Sequence, residues 1–198
     1  IIALAQTGTG KTAAFGLPLI QEADAALPTP KAIVLCPTRE LCVQITRDLN
    51  DYARFSPGIQ ILAVYGGASI VTQIAALRKG VQIVVATPGR AIDLIERKAL
   101  KLSEVRRVVL DEADEMLNMG FQESIDEILA RVPDGRNTLL FSATMPDGIV
   151  KITRKYMNNP LEVTVGERNA GAENVRHICY TVHAKDKYFV LKRIADYN

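Results

Sequence analysis

Residues 5–12 read AQTGTGKT, a loop rich in Gly and Thr that contains one lysine. An apolar run, residues 1–4, precedes the loop, and a helical pattern begins at Lys11. A strand, a Gly-rich loop and a helix in this order favour phosphate binding, because backbone N–H groups and the helix N-terminus face the anion. Gly8 and Gly10 permit the backbone angles, Lys11 suits the terminal phosphates, and the Thr12 hydroxyl suits Mg²⁺. The alternative, a turn that only leads into a helix, is disfavoured by the GKT ending. The predicted phosphate-binding residues are Ala5, Gln6, Thr7, Gly8, Thr9, Gly10, Lys11 and Thr12.

Outward from this loop, short apolar runs alternate with segments of helical periodicity as far as residue 165. The alternation predicts an α/β fold, a doubly wound, mostly parallel sheet flanked by helices. The predicted strands cover residues 1–4, 32–35, 59–64, 82–86, 108–110, 138–141 and 161–165. The predicted helices cover a segment from Lys11, with a kink near Pro18, and residues 39–54, 69–78, 90–97, 124–130 and 148–156. Right-handed crossovers gather the carboxyl ends of such strands at one edge of the sheet.

The composition is that of a globular chain, with 48% hydrophobic and 23% charged residues. A formal net charge of +2 excludes a broad cationic field, so any nucleic-acid contact has to come from local Arg, Lys and backbone N–H groups. No apolar stretch approaches the ~20 residues that cross a bilayer, and we expect no membrane partner. Three cysteines without a CxxC pair suit a reducing compartment. We therefore expect a cytoplasmic protein.

The segment GERNAGAEN, residues 166–174, is polar and lacks large apolar side chains, which predicts a linker after a first domain of residues 1–165. Residues 175–182 are predicted to form a strand and residues 185–197 a helix. Because one strand and one helix cannot bury a core, residues 175–198 are expected to begin a second domain. We expect the chain to be an excerpt of a longer protein.

Two further stretches place polar side chains directly after predicted strands. VVLDEADEML, residues 108–117, contributes Asp111 and Glu112. One carboxylate can hold Mg²⁺ through its waters while the other orients or deprotonates an attacking water. The alternative, an acidic first turn that complements a helix dipole, stays open for these residues by themselves, but the Gly-rich loop in the same chain favours catalysis. FSATMP, residues 141–146, contributes Ser142 and Thr144, whose hydroxyls are predicted to cap the next helix or to bond Asp114.

Three strand-to-helix corners read CPTRE, YGGAS and ATPGR, at residues 36–40, 65–69 and 86–90. Each places Gly, Thr or Arg at a helix N-terminus, where free N–H groups favour phosphate. Each by itself is also compatible with an ordinary turn and cap. The three together contain Arg39 and Arg90 and no interleaved aromatic residues of the kind that read bases. They indicate binding to a nucleic-acid backbone without reading of the base sequence. The candidate residues are Pro37, Thr38, Arg39, Gly66, Gly67, Thr87, Pro88, Gly89 and Arg90.

In this order, the motifs closely resemble those of the DEAD-box family of ATP-dependent RNA helicases, over nearly the whole chain. Residues 111–114 spell DEAD, and AQTGTGKT resembles the family's nucleotide-binding loop, including Ala5 where the general P-loop pattern has Gly. PTREL, the Gly66 and Gly67 pair, TPGR and SAT resemble the remaining motifs of the first lobe. The resemblance implies a RecA-like P-loop NTPase lobe, followed by the start of a second RecA-like lobe.

The resemblance also implies ATP and Mg²⁺ as cofactors and a role for each motif. Lys11 would contact the β- and γ-phosphates, Thr12 and Asp111 would organise Mg²⁺, and Glu112 would position the hydrolytic water. The residues implied to couple nucleotide state to lobe closure are Asp114, Ser142 and Thr144. RNA is the implied partner, held by Arg39, the two glycines, Thr87 and Arg90, and bent by the helix after TPGR. The second lobe is a further partner in cis, and the resemblance leaves room for protein cofactors.

The implied function is RNA-stimulated ATP hydrolysis coupled to local duplex unwinding or RNA–protein remodelling. The alternatives are a nucleotide-gated RNA clamp that serves partner proteins, and an unrelated P-loop switch or DNA motor. The family's adenine-reading glutamine motif would precede Ile1, and its arginine finger would follow Asn198. We therefore expect the 198-residue chain by itself to bind ATP weakly and to hydrolyse it hardly at all.

Overall fold

The computed structural model describes residues 1–6, 8–165 and 178–197, and its centre is a seven-stranded sheet. All the strand pairs are parallel, in the order β3-β4-β2-β5-β6-β1-β7. The strands are β1 Ile2–Leu4, β2 Ala32–Leu35, β3 Ile61–Val64, β4 Ile83–Ala86, β5 Arg107–Leu110, β6 Asn137–Ser142 and β7 Glu162–Thr164. The predicted α/β fold with a parallel sheet is therefore confirmed.

Helices cover both faces of this sheet. They are α1 Lys11–Gln21, α2 Arg39–Tyr52, α3 Ile70–Lys79, α4 Pro88–Glu96, α5 Ala113–Asn118, α6 Gln122–Ala130 and α7 Asp147–Tyr156. A further helix, α8 Lys187–Tyr197, buries none of its residues, and 3-10 turns lie at Ala53–Phe55 and Ala184–Asp186. Alternate residues of β2 point to opposite faces, as a pleated strand requires. Ile33 and Leu35 pack with residues of α3 to α7, whereas Val34 packs with residues of α1 and α2.

The interior strands are apolar on both faces because both faces are covered. All four residues of β2 and all four of β4 are buried, which is why these segments read as continuous apolar runs. Gly16 of α1 allows a close approach between α1 and α2, since a Cβ at this position would lie 2.3 Å from Cδ2 of the buried Leu49. The phosphate-loop helix is therefore seated directly against α2.

The helix predicted from Lys11 is present as α1, which contains Pro18 and continues to Gln21. The structure differs from the sequence prediction in two places. Helix α5 begins three residues after the end of β5 and spans only six residues, too few for a periodic pattern to reveal. The predicted strand over residues 175–182 is wrong for its described part, because residues 178–182 form neither strand nor helix; the helix after it is present as α8. The predicted linker, residues 166–174, lies outside the described residues.

No helix in the described part of the chain combines the length and the apolar character needed to span a membrane.

Candidate functional site

The strand order brings three predicted motifs side by side at the carboxyl edge of the sheet. Strand β6 lies between β5 and β1, so the loop after β6 is flanked by the acidic motif and by the Gly-rich loop. Leu4 pairs with Ser142, and the N–H of Ala5 donates to the carbonyl of Ser142 at 3.0 Å. The Gly-rich loop thus leaves the sheet anchored to the strand that carries Ser142 and Thr144.

The Gly-rich loop has the backbone of a phosphate cradle. Gly8 and Gly10 have φ values of +84° and +86°, a conformation that L side chains rarely adopt. The Thr9 hydroxyl donates to the Gln6 carbonyl at 2.8 Å, which closes the loop on itself. No side chain of the described residues caps α1 at Gly10, so its first-turn N–H groups stay available to an anion. Thr7 lies outside the described residues.

Asp111 is the most buried carboxylate of the acidic motif. It is 3% exposed, and its Oδ1 accepts the N–H of Glu112 at 3.1 Å. Burial raises the pKa of Asp111 from 3.8 to about 6, the charge of Lys11 opposes this increase, and the charge of Glu112 adds to it. The influence of Lys11 on this pKa means that the lysine of the loop and the first acid of the motif belong to one electrostatic site.

Glu112 has a strained backbone. Its φ and ψ are 49° and 51°, the left-handed region that costs a non-Gly residue roughly 1–2 kcal/mol. Only Asp111 and Glu112 lie between the end of β5 at Leu110 and the start of α5 at Ala113, so the chain turns sharply at this half-buried residue. Strained residues of this kind cluster at functional sites, and the sequence by itself does not indicate this conformation.

Asp114 and Thr144 are joined across the site. Oδ2 of Asp114 accepts from the Thr144 hydroxyl at 2.7 Å and from the Thr144 N–H at 2.9 Å. Ser142 is fully buried at the end of β6, and its hydroxyl has no hydrogen-bond partner among the described residues. The acidic helix is therefore tied to the loop after β6 through Thr144, while the role of Ser142 stays a prediction.

This donor set fits Mg·ATP. The described residues hold no group of three or more His, Cys, Asp or Glu side chains that could enclose a metal ion. Mg²⁺ does not need such a cage, because it keeps several waters and takes one or two carboxylates together with phosphate oxygens. Asp111 would offer such an ion one hard oxygen, and the Thr12 hydroxyl at the open end of α1 would offer another.

The first of the other three corners presents Thr38 and Arg39. Pro37 is buried, whereas Thr38 is half-buried and Arg39 is exposed. Thr38 is the N-cap of α2, and its hydroxyl accepts the N–H of Leu41 at 3.2 Å. The cap that the sequence left as an alternative is thus present, and the guanidinium of Arg39 remains on the surface.

The second corner, after β3, is shaped by a glycine. Gly66 and Gly67 are exposed, and Gly67 has a φ of +83°. A Cβ at Gly67 would lie 3.4 Å from Nη1 of Arg39, and the Arg39 guanidinium carbon is 5.4 Å from the centre of the Tyr65 ring. Arg39 of the first corner therefore lies against the second corner.

The third corner, after β4, leaves the start of α4 open. Thr87 is the N-cap and Pro88 the first helical residue, and no described side chain caps the helix. Gly89 is exposed and a Cβ there would meet nothing within 4 Å. Arg90 differs from its neighbours: its side chain is only 13% exposed, and its Nη1 donates at 3.1 Å to the carbonyl of Ala68.

Sequence reasoning missed Gln73, which links the second and third corners. Gln73 is 6% exposed, and it bonds both Tyr65 and Arg90. A signal for it exists in the sequence, since Gln73 lies at helical spacing with Ile70 and Leu77 on the apolar face of α3, where a polar residue needs partners.

A parallel doubly wound sheet with a strand–loop–helix phosphate site and acidic residues at a neighbouring strand end defines a P-loop nucleotide-binding domain of the RecA-like class. The model of the DEAD/DEAH box helicase family matches residues 1–152. The chain belongs to the DEAD/DEAH box helicase family.

Relatives and solved structures agree with this assignment. The chain is 49% identical to the "DEAD-box ATP-dependent RNA helicase CshA" of Streptococcus pneumoniae over 99% of its own length and 37% of that protein. It is 45% identical to the "ATP-dependent RNA helicase DeaD" of Escherichia coli over 99% of its length and 31% of that protein. The crystal structure of a DEAD box protein from Methanococcus jannaschii matches with a TM-score of 0.79 at 39% identity, over 98% of this chain and 51% of that one. The yeast DEAD-box splicing factor Prp28 matches with a TM-score of 0.81 at 33% identity, over 99% and 48%. The chain thus spans about a third of the length of the two helicases.

Proposed function

We propose that this chain is the ATP-binding lobe of an RNA helicase, which binds Mg·ATP and the backbone of RNA at one edge of its sheet. Together with a second RecA-like lobe, it supports RNA-stimulated ATP hydrolysis that is coupled to local duplex unwinding or RNA–protein remodelling. Residues 166–174 then serve as the linker, and residues 175–198 begin the second lobe. The relatives in Streptococcus pneumoniae and Escherichia coli are named as helicases, which favours an enzyme over a nucleotide-gated clamp.

The observation that carries this proposal is the division of the carboxyl edge into two halves. Strands β1, β5 and β6 end in the nucleotide motifs, whereas β2, β3 and β4 end in the three corners. The halves meet where β2 pairs with β5. One lobe therefore presents a phosphate site and a separate row of backbone-binding corners without overlap between them.

In the nucleotide half, each residue has a task that its position supports. The N–H groups of residues 8–12 and the Lys11 ammonium bind the phosphates, and Thr12 and Asp111 hold Mg²⁺. Mg²⁺ neutralises charge that develops on the phosphates. Glu112 orients the attacking water and accepts its proton. The Asp114–Thr144 contact, with Ser142 behind it, ties the acidic helix to the loop after β6 and couples nucleotide state to lobe closure.

In the RNA half, phosphate and ribose groups are bound by residues of the three corners and by the open N-terminus of α4. These residues are Thr38, Arg39, Gly66, Gly67, Thr87 and Gly89. Pro37 and Pro88 are buried and set the shape of their corners. No aromatic side chain lies among these candidate residues to stack on bases, so binding is independent of sequence. A cytoplasmic location suits this role, and protein cofactors are further partners of the whole enzyme.

The test measures the two halves separately. Lys11→Ala should weaken binding of a fluorescent ATP analogue by tenfold or more, which corresponds to about 1.4 kcal/mol, and leave affinity for a fluorescein-labelled ten-nucleotide RNA unchanged. Arg39→Ala should weaken binding of the RNA and leave affinity for the ATP analogue unchanged. DNA of the same sequence should bind more weakly than RNA if ribose 2′-OH groups are contacted. Equal affinity for DNA and RNA, or loss of both activities in each variant, contradicts the proposal.

A further inference from the structure

Gln73 is a buried amide with both of its ends occupied. Its Nε2 donates to the carbonyl of Tyr65 at 3.1 Å, and its Oε1 accepts from Nη1 of Arg90 at 3.1 Å. A guanidinium can only donate and a carbonyl can only accept, so the orientation of the amide follows from its partners. Gln73 therefore bridges the corner after β3 and the corner after β4.

Arg90 directs most of its contacts into the protein. Its Nη1 also donates to the carbonyl of Ala68 at 3.1 Å, and its Nε lies 3.8 Å from Oδ2 of Asp93. Because its side chain is only 13% exposed, the positive charge of Arg90 faces these carbonyl and carboxylate partners within the lobe and not the solvent. The carbonyls of Tyr65 and Ala68 bracket the two glycines, so Gln73 and Arg90 together hold both ends of the glycine loop.

The glycine loop in turn places Arg39. The Arg39 guanidinium lies over the Tyr65 ring and beside Gly67. A chain of contacts thus runs from Arg90 through Gln73 to Tyr65 and on to Arg39, and it reaches all three corners. A long arginine side chain that is held in place loses less conformational entropy when it binds a phosphate.

We propose that Gln73 is a positioning residue for RNA, which with Arg90 fixes the three corners as one preorganised surface. This inference rests on the proposed function, since it assumes that the corners bind RNA. Gln73 itself is buried and touches no RNA. Its effect reaches the RNA through the position of the glycine loop and of Arg39, and it does not extend to the nucleotide half, which lies on β1, β5 and β6.

The experiment compares two buried glutamines. Gln73→Met keeps the volume and loses both hydrogen bonds. Gln82→Met is the matched control, because Gln82 is 3% exposed and likewise makes two hydrogen bonds, in its case both to main-chain groups: its amide accepts from the N–H of Gln60 and donates to the carbonyl of Leu27. Gln82 precedes β4 and therefore lies at the opposite edge of the sheet. Both substitutions should lower thermal stability, but only Gln73→Met removes contacts to the corners.

Affinities of the whole chain for the ten-nucleotide RNA and for the ATP analogue give the decisive readout. Gln73→Met is expected to weaken RNA binding by about five- to tenfold and ATP binding by less than twofold, while Gln82→Met changes neither. Gln73→Glu retains an acceptor for Arg90 and should lose only two- to threefold. Where Gln73→Met does not fold, Gln73→Glu is compared with Gln82→Glu in the same way.

Equal RNA affinity of the Gln73 and Gln82 variants would overturn the inference, and so would a parallel loss of ATP binding in the Gln73 variant. Arg39→Ala separates this failure from failure of the proposed function. If Arg39→Ala weakens RNA binding and Gln73→Met does not, the RNA surface stands and the positioning role falls. If neither variant changes RNA affinity, the corners do not bind RNA and the proposed function fails with them.

Discussion

Replacing Asp111 by Asn should change how the stability of the nucleotide-free chain depends on pH. Asp111 is 3% exposed, and burial raises its pKa from 3.8 to about 6. Between these pH values the folded chain keeps a proton that the unfolded chain has released, so the free energy of unfolding falls as the pH rises. Above pH 6 the folded chain carries the full cost of the buried charge, and below pH 3.8 it carries none.

The magnitude follows from the difference between the two pKa values. At about 1.4 kcal/mol for each tenfold change in proton binding, the cost reaches about 3 kcal/mol at pH 8. At pH 4.5 the same relation gives a cost of the buried charge of about 1 kcal/mol. Asn keeps an acceptor for the N–H of Glu112 but cannot ionise. The free energy of unfolding of Asp111→Asn relative to wild type should therefore decrease by about 2 kcal/mol between pH 8 and pH 4.5.

Thermal and urea unfolding followed by circular dichroism, in EDTA and without nucleotide, measures this difference. About 2 kcal/mol corresponds to roughly 4–8 °C in melting temperature for a chain of this size. Asp134→Asn is the matched control, because it makes the same substitution at an exposed aspartate and removes no buried charge. In a Lys11→Met background the pH dependence should grow, because the charge of Lys11 lowers the pKa of Asp111. A stability difference that is the same at both pH values would refute the reasoning.

Three further predictions concern the framework of the nucleotide half. Gly16→Ala should destabilise the chain by about 1–3 kcal/mol, because its Cβ would lie 2.3 Å from Cδ2 of Leu49; in urea unfolding, its cost should shrink when Leu49→Ala is also present. Thr144→Val removes the 2.7 Å hydrogen bond from the hydroxyl to Asp114 but keeps the 2.9 Å bond from the N–H. It should therefore lower the free energy of unfolding by about 0.5–1.5 kcal/mol. The same loss measured in an Asp114→Ala background would exclude the hydroxyl bond as the cause. Gly10→Ala meets no atom within 4 Å but holds a φ of +86°, so it should cost about 1–2 kcal/mol in backbone strain and weaken ATP binding, as calorimetry can show.

Strand positions were predictable because a parallel sheet covered on both faces leaves a strong signal. The segments that form β2 and β4 are fully apolar, and the structure shifts their predicted starts by no more than one residue. Helix α5 was not predictable in this way, because six residues carry no period. Glu112, the residue just before α5, takes a left-handed conformation that local sequence preference opposes.

The sequence indicates where each candidate residue lies relative to the strand ends, but it does not indicate which contacts these residues make with one another. The motif around Arg90 indicates a cation at a helix N-terminus, and only the structure shows that this cation is mostly buried and bonded to Ala68 and Gln73. Gln73 lies outside every recognisable motif. Its importance depends on contacts to Tyr65 and Arg90, eight and seventeen positions away in sequence, and a single sequence contains no measure of such proximity.

Backbone hydrogen bonds continue past the ends of the strands along the carboxyl edge, and one of them, from the N–H of Asp111 to the carbonyl of Leu35, joins the two halves. The donor and acceptor pairs are Ala5 N–H to Ser142 O, Asp111 N–H to Leu35 O, Cys36 N–H to Ala86 O, and Thr87 N–H to Val64 O, at 2.9–3.0 Å. Because such bonds between buried strands open rarely, the RNA corners and the nucleotide motifs are held at a fixed spacing within this lobe. Under the proposed function, we therefore expect no signal that depends on one corner sliding past another. The Asp114–Thr144 contact is exposed and joins α5 to the loop after β6, and we propose it as the element that senses a closing second lobe.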